Sequence, residues 1–208
     1  MTPVMTPVMM PVIMTYTGKY FNFLKPCIDD ISIEDIAHAL SNTSRFGGHC
    51  KEFYSVAQHS VLVSNLVNNL VAPDPNLQWQ ALHHDDAEAY LGDVPTPLKQ
   101  LLPDFKKIES DVERVISNKF HLNMVLDPVV KIADLQALML EREVLIPADS
   151  NNFKWTCFNG IPKPKHQDIV PLSPKAAEQL FLDRYTSIWS DVLRKPKNHL
   201  SINRYGYN

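Results

Sequence analysis

The stretch Leu82-His83-His84-Asp85-Asp86-Ala87-Glu88 puts imidazoles and carboxylates where a helical repeat asks for apolar side chains. His84, Asp85 and Glu88 share a helical stripe with Leu77 and Ala81. Upstream, His59 falls in the stripe His59, Leu62, Val63, Leu66 and Leu70. Downstream, Asp134 falls in the stripe Val130, Asp134, Ala137, Leu138 and Leu145. Three helices therefore point imidazole or carboxylate toward one interior. Burying ionised carboxylates without partners costs several kcal/mol or more. A divalent cation held by two histidines and two aspartates removes that cost. The set His59, His84, Asp85 and Asp134 mixes nitrogen and oxygen donors, which suits Mn, Fe, Co, Ni or Zn. The competing reading is a group of core histidines hydrogen-bonded to nearby aspartates. Four ligand-type residues on inward stripes of three helices favour the cation. His83 and Asp86 face other directions and read as structural.

Beyond that stretch, the chain reads as one all-α domain, a helical bundle around the metal site. Ser32 with Asp35 forms a variant capping box for a helix over 32–40. Residues 41–54 read as a loop with Gly47 and Gly48, and a helix over 55–71 carries His59. The next helix is expected over 77–91, with Gly92 in the position after its end that favours positive φ. Pro95 and Pro97 stop it, and a short helical piece over 98–102 carries Lys99. Further helices are expected over 103–120, over 129–146 after Pro128, and from Ser173-Pro174 to about residue 193. Residues 15–26 read as a short strand or hairpin. Residues 1–14 read as a flexible, disordered or extended arm, 15–195 as the domain, and 196–208 as a mobile tail. The irregular segment 148–171 has the length of a lid or a disordered connection.

The 208 residues suffice for one domain with a substantial core. Hydrophobic residues make up 45% and charged residues 21%, as in ordinary globular proteins. A net charge of -3 and a pI near 6.2 argue against a wide nucleic-acid-binding surface. Cys27, Cys50 and Cys157 are scattered and suit a reducing cytoplasm. No apolar run reaches the length of a membrane span. No Lys or Arg precedes the apolar start and proline recurs within it, so it is not read as a signal peptide.

The order His59…His84-Asp85…Asp134 resembles the HD-domain phosphohydrolase superfamily. The resemblance extends to bacterial 5′-deoxynucleotidases and phage dATP triphosphohydrolases. In these the His-Asp pair is followed by a Glu and by Gly-Asp-x-Pro-x-Pro-x-Lys. Here the matching residues are Glu88 and Gly92-Asp93-Val94-Pro95-Thr96-Pro97-Leu98-Lys99, with Arg45-Phe46 before the first histidine. The match covers roughly residues 32–146. Asp86 departs from it where a small residue is common, and Phe46 where tryptophan occurs in several relatives.

The resemblance implies a metal-dependent hydrolysis of deoxynucleotides by an activated water, with either a deoxynucleoside monophosphate or a dNTP, dATP being the specific instance, as substrate. One divalent transition metal is implied, with an additional Mg for a triphosphate substrate. Glu88 takes the role of acid/base or water-positioning group, and Asp93 orients the water or protonates the leaving group. Arg45, Lys99 and Lys131 are the cationic candidates for phosphate, and Phe46 and Pro97 for sandwiching a base. The expected partners are a small-molecule nucleotide and further copies in a homo-oligomer, with no nucleic acid and no membrane. The expected setting is cytoplasmic, the host's for the phage members. The alternatives are a cyclic-nucleotide or alarmone hydrolase, and a catalytically silent nucleotide-binding module.

Overall fold

The computed structural model describes residues 10–148 and 153–194. Residues 1–9 of the expected arm, 149–152 of the long segment and the expected tail over 196–208 lie outside the described residues. The chain opens on an antiparallel hairpin, β1 (Val12–Met14) with β2 (Tyr20–Asn22), in which Ile13 faces Phe21. The end of the expected arm is therefore extended and paired, and the folded unit includes residues before the boundary drawn at 14/15. All other regular structure among the described residues is helical: α1 (Ile33–Asn42), α2 (Val56–Leu70), α3 (Pro75–Leu82), α4 (Glu88–Leu91), α5 (Thr96–Lys99), α6 (Pro103–Phe120), α7 (Pro128–Leu145) and α8 (Pro174–Arg194), with short 3-10 turns between. The mainly all-α fold expected from periodicity is what forms.

Local chemistry sets the helix starts. The Ser32 hydroxyl accepts from the Asp35 amide, the Ser55 hydroxyl from Gln58, the Asp74 carboxylate from Asn76 and the Asp127 carboxylate from Val129. Each satisfies an amide that has no partner within its helix. Prolines sit in the first turns of α3, α5, α6 and α7, where no donor is needed.

Two apolar clusters form the interior. One gathers Phe21, Ile36, Leu40, Trp79, Val112 and Phe181, the other Leu66, Ala81, Val130, Ala137 and Leu145. Helix α2 supplies both, Val56, Ala57 and Val61 to the first and Leu62, Val63 and Leu66 to the second. It is the central helix, so its polar residues His59, Ser60 and Ser64 are buried with it. Arg184 of α8 ties it to α3, donating to Ser64 Oγ at 3.1 Å and to Gln78 Oε1 at 2.8 Å.

The structure corrects the sequence reading between 77 and 91. One helix was expected there, and two form, separated by a turn over 83–87. The last α-type bond of α3 runs from His83 N to Trp79 O. After it the chain tightens to i+3 bonds, Asp86 N to His83 O and Glu88 N to Asp85 O. The His84 ring, through Nδ1, bonds the Ala81 carbonyl at 2.8 Å, and His83 pairs with Asp86. These side-chain bonds compete with the helical ladder at the point where it breaks.

Much of the long segment after 148 is strapped down. The Gln58 amide donates to Val170 O at 2.9 Å and accepts from Leu172 N at 3.1 Å, while Gln136 donates to Pro162 O at 2.9 Å. Ile169 is buried in the second cluster. The hairpin hangs on Asp35. Its carboxylate accepts from Thr17 N at 2.7 Å, Thr17 Oγ1 at 2.8 Å and Ser32 Oγ at 2.8 Å. Burial pushes this carboxyl up, but those bonds outweigh it and hold its pKa below the usual value. Asp35→Ala is therefore expected to destabilise the chain by about 2–3 kcal/mol, read by denaturant unfolding. The wild-type advantage should be complete above the unfolded carboxyl pKa of about 3.9 and lost as pH falls through the lower folded value.

Candidate metal centre

Three separate segments bring the polar groups together. Helix α2 carries His59, the turn after α3 carries His84 and Asp85, and α7 carries Asp134. Ligand atoms of His59, His84 and Asp134 all lie within 4.8 Å of one another. His59 Nε2 is 3.4 Å from Asp134 Oδ1, and His84 Nε2 is 3.9 Å from it. Asp85 Oδ2 lies 3.5 Å from His59 Nε2 and 3.3 Å from His84 Nε2. Two atoms bound to one ion at about 2.1 Å stand about 3.0–3.4 Å apart at octahedral or tetrahedral angles. The spacings are thus near those that a single cation would impose.

The hydrogen-bond inventory is the sharper test of fit. Both Nε2 atoms are buried and have no hydrogen-bond partner. Both Nδ1 atoms are engaged, His59 with Glu141 Oε1 at 2.7 Å and His84 with Ala81 O at 2.8 Å. A ring held through one nitrogen with the other left free is how imidazole is presented to a metal. An unpaired buried polar atom otherwise carries a desolvation penalty. The residues fit a divalent cation.

Glu141 is the residue that the sequence reading missed. It is fully buried and bonds both His59 and Arg45, whose Nη2 is 3.3 Å from its Oε2. It lies seven residues after Asp134 on the same helical face, a charged residue inside an apolar stripe, and that was a readable signal. Burial raises its pKa, but His59 and Arg45 outweigh this and hold it low. Burial and Arg45 push the His59 pKa down, but Glu141 and Asp134 prevail and raise it to about 10. Asp134 is held well below the usual carboxylate range, burial being outweighed by His59, His84 and Lys131.

Arg45 reaches the centre because the loop before α2 is closed on itself. Ser44 and Ser55 form a bridge, with Arg45 N bonded to Tyr54 O at 2.9 Å. Its Nη1 stands 3.9 Å from both Asp85 Oδ2 and Asp93 Oδ2. Phe46 adopts a left-handed φ of 56° and packs at the edge of the second cluster, with the Arg45 guanidinium 5.5 Å from its ring centroid. Pro97 is exposed near the start of α5.

Beyond the break, Glu88 is buried and its Oε2 has no partner. Lys99 Nζ lies 3.7 Å from its other oxygen and bonds Glu109. Burial, then Asp85 and Asp93, push the Glu88 carboxyl well up. Burial raises Asp93 too, with Arg45 opposing and Asp85 adding to the rise. Lys131 is exposed and binds Asp134 Oδ2 at 2.7 Å. His83 and Asp86 form their own buried pair, with His83 stacked on Phe120 at 4.5 Å. They are packing residues, as read, and His84 rather than His83 reaches the centre.

No family model matches the chain. Over 174 residues it is 44% identical to the uncharacterized protein YfdR of Escherichia coli (strain K12), covering 84% of this chain and 93% of that one. Over 136 residues it is 35% identical to an uncharacterized protein of Rhodobacter capsulatus, covering 61% of this chain and 69% of that one. The chain belongs to the family of these proteins. No helix among the described residues is long and apolar enough to cross a membrane.

Two substitutions test the centre by titration with Mn or Zn under calorimetry. Asp134→Ala is expected to abolish tight binding of one ion. Glu141→Gln, which keeps the shape but removes the charge behind His59, is expected to weaken it about 10- to 100-fold. Unchanged affinity in both would show that these residues do not hold the ion.

Proposed function

We propose that the chain is an HD-type, metal-dependent phosphohydrolase acting on deoxynucleotides. One observation carries this reading. The free, buried Nε2 atoms of His59 and His84 converge with Asp134, and a buried carboxylate without a partner on one oxygen, Glu88, stands in the same site. The motif from His84 to Lys99 supports the choice of substrate class.

His59, His84 and Asp134 would hold a divalent transition ion, with Asp85 as the fourth ligand. Such an ion supplies Lewis acidity to phosphoryl oxygens and acidifies an attacking water. Every other part of the work falls to the chain. Glu88 takes the proton from the water as its oxygen bonds to phosphorus. The phosphorus–oxygen bond to the leaving group breaks, and that oxygen receives the proton. Asp93, beside Arg45, orients the water. Arg45 and Lys99 bring positive charge to the phosphate, each oriented by a carboxylate, Glu141 for Arg45 and Glu109 for Lys99. Lys131 screens Asp134 from the exposed side.

The test is a panel of nucleoside mono-, di- and triphosphates with Mn, Co, Zn, Ni, Fe and Mg, read by product chromatography. Phosphate or polyphosphate release from a deoxynucleotide is the expected result. Glu88→Gln should lower turnover about 100- to 10,000-fold while bound metal is unchanged. Wild-type turnover in that variant would remove Glu88 from the mechanism, and no release from any member of the panel would overturn the reading.

A further inference from the structure

His83 and Asp86 pack beside the centre without reaching it, and as packing they are costly. Both side chains are fully buried, and His83 Nδ1 meets Asp86 Oδ2 at 2.5 Å. Apolar groups of the same volume would serve stability as well or better, because a buried polar pair repays its lost hydration only in part. His83 Nε2 and Asp86 Oδ1 add to that cost, since neither has a hydrogen-bond partner among the described residues. The best-attested use of such a pair is to fix a register.

The two residues between them are His84 and Asp85, so the pair closes a loop around two of the four candidate ligands. The backbone bond across the same interval, Asp86 N to His83 O, is long at 3.3 Å, and the side chains make the shorter link. The His83 end is anchored in the core. Its ring stacks on Phe120 of α6 at 4.5 Å and meets Trp79 of α3 edge-on at 4.3 Å and Tyr185 of α8 edge-on at 5.7 Å.

Packing from outside does not set the shape of the turn by itself. A cavity of about 160 Å³ lies against it, walled by His83, His84 and Ala87, by Gln80 of α3, and by α6 and its connection to α7. Gln80 keeps that connection at a distance, donating to Asn123 O at 3.0 Å and Val125 O at 2.9 Å and accepting from Asp127 N at 3.0 Å. With space on that side, the direction of the ligand side chains depends on bonds within the turn. His84 has one, from its ring to Ala81 O at 2.8 Å. The Asp85 carboxylate stands 3.3 Å from His84, 3.5 Å from His59 and 3.9 Å from Arg45, so the backbone of the turn aims it.

We propose that His83 and Asp86 are positioning residues for the metal centre: their bond clamps the turn and aims His84 and Asp85 at His59 and Asp134. The inference rests on the metal reading of the centre and not on the choice of substrate.

The test is calorimetric titration of the full chain with Mn or Zn alone, beside thermal melts of the metal-free protein. His83→Phe combined with Asp86→Ala replaces the pair by apolar groups. This double variant should melt at or above the wild-type temperature and bind the ion about 10- to 100-fold more weakly. If it fails to fold, Asp86→Ser, too short to reach His83, is read in the same way. Asp86→Asn keeps an acceptor oxygen in place and should bind within about threefold of wild type. Phe120→Leu loosens the packing around His83 with the clamp intact, and should lower the melting temperature while leaving ion affinity unchanged. Wild-type affinity with the bond removed, or a loss in Phe120→Leu or Asp86→Asn as large as that in the double variant, would overturn the clamp. Absence of tight ion binding in the wild type would overturn the metal centre, and the clamp with it.

Discussion

A carboxylate with no contact with water must be surrounded by positive charge or donors, and Glu141 is such a group. It takes one bond from His59 on α2 and one from Arg45 in the loop before α2. Its own helix, α7, also carries Asp134. One buried charge thus fixes the imidazole that faces the centre, the guanidinium beside it and the spacing of two helices. Remove it, and the His59 Nδ1 and the Arg45 guanidinium both lose the group that holds them in place. The arrangement explains why α2, buried on nearly all sides, can carry a histidine among its apolar residues.

The centre is built where regular structure fails. His84 and Asp85 lie in the turn between α3 and α4, and Arg45 lies in a loop with left-handed residues at Phe46 and Gly47. His59 and Asp134 come from long, packed helices. The set therefore combines two rigid supports with two segments whose backbone has left the helical ladder. This lets His84 Nε2 and Asp85 Oδ2, on adjacent residues, approach to 3.3 Å, where a continuous helix would splay the two side chains apart by roughly a quarter turn.

Much of this was legible in the sequence because burial leaves a periodic trace. His59, His84 and Asp134 interrupted apolar stripes, and the structure brings those three together. Caps at Ser32 and Ser55 and the proline starts of α6 and α7 were readable from local chemistry. The break at 83–87 was not, because periodicity survives a tightened turn and does not report that a histidine ring has taken a helical carbonyl. The pairing of Val12–Met14 with Tyr20–Asn22 was also hidden, since three-residue strands give too little alternation. Glu141 was visible in principle. Its position does not face the cation, and a ligand pattern marks only the residues that do. The placement of Phe46 and Pro97 depends on loop conformations, and sequence pattern carries little information about those.

Gln80 spends its whole side-chain amide on the backbone between α6 and α7. A connection held at three points cannot absorb an inserted or deleted residue without breaking at least one of them. Among relatives that keep this glutamine, the outline of the adjoining space should drift by exchange of individual side chains, while the length of the connection stays constant.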